Sequence, residues 1–395
     1  PDLPKGYQIT QDTTPICTAG YVEIKDAKNN KKKIQLTRIH MEEDAGKSIH
    51  DLDPFYSLLD FNRSGVPLLE IVSEPEIQSA EEAYSFLYEI RKLVRYLNIS
   101  NGNMEEGSLR CDANISVRPI GEKALRNRVE VKNINSLKNV MKAINLEEIR
   151  QINCYETNKS VDQETRNYHA HNNTTTILRT KEDAHDYRYF PEPDIPPIII
   201  DDKFIEAIEK DMPTLPKERY HKYTTKYQLS DYDANVLIDE KDISDIFDEI
   251  VTHTKSYKTV ANLLMGVIKS YLNENALIID DLKVPTQYIA ELAEMLDKNQ
   301  ISHIIMSQKL FPEMVKQKKS PSIIAKEKRW LQEDDTNSID EHVQKVLEKY
   351  PDKVQDYQNG KTNLLGLFMG EIMRETKGKL NPKSISEILR KKLKK

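Results

Sequence analysis

From Arg110 to Arg118 polar and apolar residues alternate without a break. Arg110, Asp112, Asn114, Ser116 and Arg118 fall on one side, and Cys111, Ala113, Ile115 and Val117 on the other. That period of two is the signature of a half-buried β-strand. The stretches "YVEI" (21–24) and "KIQLTRI" (33–39) flank a polar turn and predict a hairpin. A further strand is predicted where Arg128, Glu130 and Lys132 alternate with Val129 and Val131. If it pairs antiparallel with 110–118, the polar residues of both share one face. The period lengthens to that of a helix over "SAEEAYSFLYEIRKLVRYL". There Ser79 and Glu82 form a capping box, and Ala83, Phe86, Leu87, Ile90, Leu93, Val94 and Leu97 form one apolar stripe. A second helix starts near Ser136, with Val140, Met141, Ile144 and Ile149 as its inner face. Helices on one face of an antiparallel sheet leave the other face open to solvent or ligand.

A Pro-rich segment, "RYFPEPDIPPIII", closes this region near residue 200 and reads as an extended edge or linker. Beyond it the patterns are helical, as in "TVANLLMGVIKSYL" and "QYIAELAEMLDKNQI". The lysine-rich "KQKKSPSIIAKEKRW" marks a second boundary. In the last segment Gly366 and Gly370 lie one helical turn apart, a spacing that predicts close backbone approach, and Gly378 with Pro382 ends that helix. The expected organisation is an α+β domain over 1–200, a helical domain over 201–318 and a basic helical tail over 319–395.

Composition sharpens this picture in three places. The chain has 395 residues, 38% hydrophobic and 31% charged, with a formal charge of −6. A chain of that size predicts more than one domain, and one that is not a polycation as a whole. Any contact with nucleic acid must come from a local patch, and the tail supplies one. From Lys361 to Lys395 there are ten Lys or Arg against three Glu. The three cysteines, Cys17, Cys111 and Cys154, are widely separated, which argues against a disulfide framework or zinc site and fits a reducing cytoplasm. The longest apolar run, around Ile198–Ile200, is far too short to span a bilayer, and no signal peptide is visible. The chain opens with Pro1, not Met, so an upstream segment is expected to be missing.

Four polar clusters carry the candidate chemistry. "HMEEDAGKS" brings together Glu42, Glu43, Asp44, Gly46, Lys47 and Ser48, without the glycines of a phosphate-binding P-loop. "DFNRSGVPLLEIVSEPE" supplies Asn62, Arg63, Glu70 and Glu74, with Glu70 inside an apolar run. "MEEGSLRCDAN" adds Glu105, Glu106, Arg110, Asp112 and Asn114, and "EVKNINS" adds Glu130, Lys132 and Asn133. Each alone reads more readily as a solvated turn or cap, and Glu70 as readily as a structural salt bridge as a functional carboxylate. Together, carboxylates mixed with Arg, Lys and amides on an open sheet suit Mg²⁺ and a nucleotide. Oxygen ligands hold the metal, and the cations neutralise phosphate charge. Phosphoryl transfer needs mainly such positioning and electrostatic stabilisation.

These stretches, with "QETR", "DYRYFPEPDIPP" and "GLFMGEIMRETKGKLNP", resemble the B subunit family of the glutamine-dependent aspartyl/glutamyl-tRNA amidotransferases (GatB of the GatCAB complex). The matches are collinear over nearly the whole chain. The resemblance implies an α+β cradle with a curved antiparallel sheet, similar to glutamine synthetase and guanido kinases. An all-α domain and a YqeY-like tail then follow. It implies a heterotrimer in which an amidase A subunit releases ammonia from glutamine and a small C subunit completes the complex. It further implies that the B subunit uses ATP and Mg²⁺ to phosphorylate the side-chain carboxylate of Glu on tRNA-Gln or Asp on tRNA-Asn, with ammonia then displacing the phosphate.

By the same resemblance Glu43 and Glu70 are expected to bind metal at the centre of the cradle. Arg63, Arg110 and Lys132 are expected to meet phosphate oxygens. Asp112, Asn114, Glu105 and Glu106 are assigned to a second metal or the substrate, with Lys47, Ser48 and Asn62 as further ATP contacts. Lys5, Tyr7 and Gln8 match a segment near the ammonia path. Lys377, Lys379, Lys383, Arg390 and Lys391 are the expected tRNA contacts. His40 and the "DYRYFPEPDI" aromatics are read as structural. The family's Glu-Val-His segment has no match in this sequence. The alternative reading is therefore a non-catalytic tRNA-binding or assembly module. An aminoacyl-tRNA synthetase is set aside because no HIGH- or KMSKS-like stretch is present.

Overall fold

The computed structural model describes residues 3–11, 13–26, 28–50, 52–180, 191–332, 336–376, 380 and 382–393. The chain divides into two compact units, Pro1–Pro213 and Thr214–Lys395.

The first unit is built on two sheets. In one, the long strand β3 (Lys31–Glu43) is central. Along one edge it pairs with β1 (Cys17–Thr18) and β2 (Tyr21–Lys25), which are separated at Ala19 and Gly20, both at positive φ. The β2–β3 hairpin is the one predicted, with Tyr21 opposite Gln35 and Lys25 opposite Lys31. A two-stranded ribbon of β4 (Lys47–Ile49) and β5 (Leu58–Asp60) follows. Then β6 (Pro67–Ser73) covers the other edge of β3, with His40 opposite Glu70 and Glu43 opposite Pro67.

Helix α1 (Ala80–Tyr96) starts at Ser79, whose hydroxyl accepts the Glu82 N–H at 3.2 Å. The return bond of the predicted capping box goes one residue further upstream. The Glu82 carboxylate takes the Gln78 N–H at 2.8 Å, and it is also claimed by Lys32 at 2.7 Å. The inner stripe of α1 serves two cores. Phe86 and Ile90 pack with Val22, Ile24 and Ile34 of the first sheet, while Ala83 packs with the second.

The second sheet has the order β10–β9–β8–β7, formed by β7 (Ala113–Ile115), β8 (Val129–Lys132), β9 (Glu164–His169) and β10 (Thr174–Thr180). The β7–β8 pair is antiparallel as predicted, with Asn114 opposite Glu130. It is shorter than the sequence pattern, because Ser116 and Val117 leave the ladder for other partners. The Ser116 hydroxyl donates to the Arg126 carbonyl, and the Val117 N–H to the Gln151 side chain. One pair departs from the antiparallel expectation: β8 and β9 are parallel. Parallel neighbours need a crossover, and helix α2 (Leu137–Glu156) provides it.

Val140 and Ala143 of α2 are buried as its period requires, but Ile149 faces solvent. The buried positions near that end of the helix are polar instead, Glu147 and Gln151. Glu147 is held by Arg150 at 2.7 and 2.9 Å, and Gln151 donates to Glu147 and to the Ile115 carbonyl. The "QETR" motif joins this network: Arg166 donates to Glu164 at 2.6 Å, and Arg150 lies 3.3 Å from Glu164.

The second unit is helical. One core runs from Tyr223 to Ala325 and includes the predicted helices Tyr257–Leu263 and Thr286–Asp297. The segment expected to open a third domain belongs to this core, since Ile324 and Ala325 are buried in it and Trp330 packs against it. The lysines there are exposed on the segment's two helices and the turn between them, and Lys318 donates back to the Leu282 and Lys283 carbonyls. A second core runs from Ile339 to Leu393. Gly366 and Gly370 lie on the exposed side of helix Leu365–Glu375. A β-carbon at either would meet nothing within 4 Å, so the spacing marks no close approach. Gly378 lies outside the described residues.

Candidate active site

Three successive acidic residues stand where β3 ends, Glu42 and Glu43 within it and Asp44 just beyond, and each is claimed by different partners. Glu42 shares a face of the sheet with His40 and Glu70. His40 Nε2 lies 3.1 Å from Glu42 Oε1 and 3.8 Å from Glu70 Oε2, and ligand atoms of the three lie within 4.8 Å of one another. His40 is buried, and its Nδ1 accepts an N–H from Arg38 at 3.2 Å. With Nδ1 used as an acceptor, the neutral ring carries its proton on Nε2 and donates it to Glu42. His40 thus orients the carboxylates, while Glu42 and Glu70 present their oxygens side by side. Glu70, which the sequence sets inside an apolar run, is half exposed at the middle of β6.

Glu43 points to the opposite side of the strand, as alternation requires. Its carboxylate takes the Lys5 ammonium at 2.7 Å and the Ile9 N–H at 3.1 Å. Gln8 donates to the Glu43 carbonyl and to the Glu42 carboxylate, and the Tyr7 hydroxyl donates to Glu192 at 2.8 Å. The three residues assigned to the ammonia path therefore border the acidic end of β3. Within "DYRYFPEPDIPP", Asp186–Phe190 lie outside the described residues.

Asp44 is buried, and both predicted phosphate-binding arginines converge on it. Arg110 chelates it through two nitrogens at 3.0 and 2.8 Å, and Arg63 Nε donates to it at 2.7 Å. Lys132 stands apart from this centre in a bridge to Asp112 at 2.5 Å and to Glu130 at 3.3 Å. Burial works against its charge, but the two carboxylates outweigh it and hold the Lys132 ammonium above its ordinary pKa. Thr165, itself buried, donates to Glu130 at 2.8 Å.

The remaining predicted residues are more peripheral. Asn114 is exposed on β7. Glu105 and Glu106 are exposed in the loop before it, where Asn101 holds the Glu106 carboxylate. Lys47 and Ser48 lie on the β4–β5 ribbon, and Asn62 is tied to Asp60 at 2.6 Å. Lys383, Arg390 and Lys391 are exposed on helix Pro382–Leu393, and Lys377 and Lys379 lie outside the described residues. Glu42 and Asp44 stand in the first polar cluster of the sequence, but the pattern there assigned a role only to their neighbour Glu43. The available signal was the alternation along β3, which separates Glu42 from Glu43 and aligns Glu42 with His40.

The sheet with its acidic strand end and convergent arginines belongs to a class of catalytic domain with known relatives. Residues 1–206 match a family model described as the GatB/GatE catalytic domain, and residues 245–393 match one described as the GatB domain. The chain is 44% identical over 398 residues to the B subunit of the aspartyl/glutamyl-tRNA(Asn/Gln) amidotransferase of Caldicellulosiruptor bescii. It is also 44% identical to proteins of that name from Thermodesulfovibrio yellowstonii, over 394 residues, and Thermotoga maritima, over 397 residues. In each case the match covers all of this chain and 82% of the relative. The chain belongs to the GatB family. Among the described residues, no helix is long and apolar enough to cross a membrane.

Proposed function

We propose that this chain, as the B subunit of a tRNA-dependent amidotransferase, carries the ATP-dependent step that activates a side-chain carboxylate on misacylated tRNA. Family membership supports the amidotransferase role, partnership with the A and C subunits, and tRNA as substrate. The observation that carries the kinase reading is the division of labour at the end of β3. A carboxylate pair suited to a divalent cation lies on one face, and a buried acid holding two arginines lies directly after it.

The donor set fits magnesium, which binds through one or two carboxylates with waters and substrate phosphates. Glu42 and Glu70 would hold it, with His40 fixing their orientation. When bound, the metal would neutralise phosphate charge during transfer. The chain's own cations do the rest. Arg63, Arg110 and Lys132 bind and orient phosphate oxygens, and Lys132 stays charged because Asp112 and Glu130 surround it. A carboxylate oxygen of the aminoacyl group attacks the γ-phosphorus of ATP, and ADP leaves. Ammonia then attacks the acyl carbon and expels phosphate, a far better leaving group than oxide. Lys5 and Gln8 bond to Glu43 at the end of β3, and ammonia would arrive along their segment. The free cysteines suit a reducing cytoplasm.

The test is ATP turnover by this chain with its A and C subunits, with and without misacylated Glu-tRNA. Turnover dependent on the misacylated tRNA is expected. Retained tRNA binding without turnover would instead favour a tRNA-binding module.

A further inference from the structure

We infer that Asp44 is a positioning residue that assembles Arg63 and Arg110 into a two-guanidinium clamp for a phosphate group of the nucleotide. The inference rests on the kinase reading above and adds to it a residue that neither binds metal nor touches substrate.

The geometry is that of a buried anchor beneath open cations. The Asp44 side chain is 3% exposed, while those of Arg63 and Arg110 are 39% and 54% exposed. The three come from separate stretches of chain: the end of β3, the turn at 61–66 and the loop before β7. Asp44 is fixed by its own backbone, which donates to the Val66 carbonyl at 2.8 Å and accepts the Gly65 N–H at 2.9 Å. Gly65 has φ +77°, a conformation that glycine adopts without strain, and it brings Arg63 back towards the acid.

Charge and donor balance point outward. One carboxylate faces two guanidiniums, leaving an excess positive charge. Each guanidinium has five N–H donors. Arg110 uses two on Asp44, and Arg63 uses one on Asp44 and one on the Glu106 carbonyl. The rest remain available on exposed groups. The network at Glu164 also sets two arginines on a buried acid, but there a second acid, Glu147, balances their charge and both are more buried, at 28% and 12% exposed. Two cations held side by side with spare donors match the several oxygens of a phosphate better than the two of a carboxylate.

The experiment uses Asp44→Asn and Asp44→Glu in the complex with A and C subunits, measuring KM for ATP, kcat with misacylated tRNA, tRNA affinity and Tm. Asp44→Asn is expected to raise KM for ATP about 10- to 100-fold, by analogy with the loss of an outer partner that orients a metal ligand. Its tRNA affinity should be unchanged. Asp44→Glu keeps the charge and should recover part of that loss. An unchanged KM for ATP in both variants would overturn the inference. So would a fall in tRNA affinity with KM for ATP unchanged, which would assign the clamp to a tRNA phosphate. Parallel loss of ATP turnover, tRNA binding and Tm in both variants would make Asp44 a structural clamp only, again overturning it. Absence of ATP turnover in the unmodified complex would refute the kinase reading itself, and the nucleotide clamp with it.

Discussion

Replacing Glu70 by Gln keeps the shape of the side chain and removes its charge. If Glu42 and Glu70 hold the cation, the divalent-ion concentration for half-maximal ATP turnover should rise. The size follows from the structure. Ligand atoms of His40, Glu42 and Glu70 lie within 4.8 Å of one another, so a bound cation would sit within bonding distance of the Glu70 carboxylate. A unit-charge interaction at about 4 Å is worth ~1 kcal/mol in water and ~4 kcal/mol at an effective dielectric of 20. Glu70 is 51% exposed, so its environment lies between those limits. A loss of ~1.4–2.8 kcal/mol corresponds to a shift of about 10- to 100-fold. The assay titrates Mg²⁺ against ATP turnover in the complex with misacylated tRNA, with direct Mn²⁺ binding measured alongside. Glu43→Gln is the internal control, because its carboxylate faces Lys5 on the other side of the strand. A larger metal shift in Glu43→Gln than in Glu70→Gln would refute the assignment of the cation to the His40 face.

Three further outcomes are expected. Glu147→Ala removes the buried acid beneath Arg150 and Gln151 and should cost about 3–5 kcal/mol, as breaking a buried ion pair does, read as a lowered Tm or denaturant midpoint. A change under about 1 kcal/mol would show the network to be dispensable. In the helical unit, burial works against the charge of Asp233, but bonds from Lys258 and Ser230 outweigh it and hold its carboxyl below the usual range. A group with a lowered folded pKa contributes stability above its unfolded value, near 3.9, and loses it as pH falls through the folded value. Tm should therefore decline below about pH 4, and less steeply in Asp233→Asn; equal slopes would remove Asp233 from the account. Arg390→Gln with Lys391→Gln should weaken tRNA binding and reduce its logarithmic salt dependence by roughly one unit for each phosphate no longer bound. An unchanged slope would mean that this helix end touches no phosphate.

Much of the first unit was legible because its signals are local. Alternation gave the β2–β3 hairpin and the face shared by Asn114 and Glu130, and the 3.6-residue period gave α1 with Ser79 at its start. The parallel β8–β9 pair was not legible, because register between strands separated by a 20-residue helix is set by packing rather than by any local pattern. Ile149 was misread for a related reason. Its position on α2 is taken by a polar network whose partners, Glu164 and Arg166, arrive from a later strand. At the site, Arg63, Arg110 and Lys132 were found by residue type. Their partners Asp44 and Glu130 stood in the same polar clusters but carried no assigned role, since the part of a buried acid shows only when its cations are brought to it.

The run Glu42-Glu43-Asp44 shows how one short stretch can serve several purposes. Adjacent carboxylates repel, and three in a row would normally be solvated. The strand prevents that conflict by geometry. Alternation sends Glu42 and Glu43 to opposite faces, where Thr10, His40 and Gln8 meet the first, and Lys5 and the Ile9 N–H the second. Asp44 lies just beyond the last ladder residue. Freed from strand alternation, it turns inward to meet two arginines. Each acid is thereby paired with a different segment of the chain, and moving the run by one residue would exchange all three sets of partners. The identity of that strand end therefore determines whether the face towards Glu70 presents carboxylates to a cation and whether Arg63 and Arg110 stand together beside it.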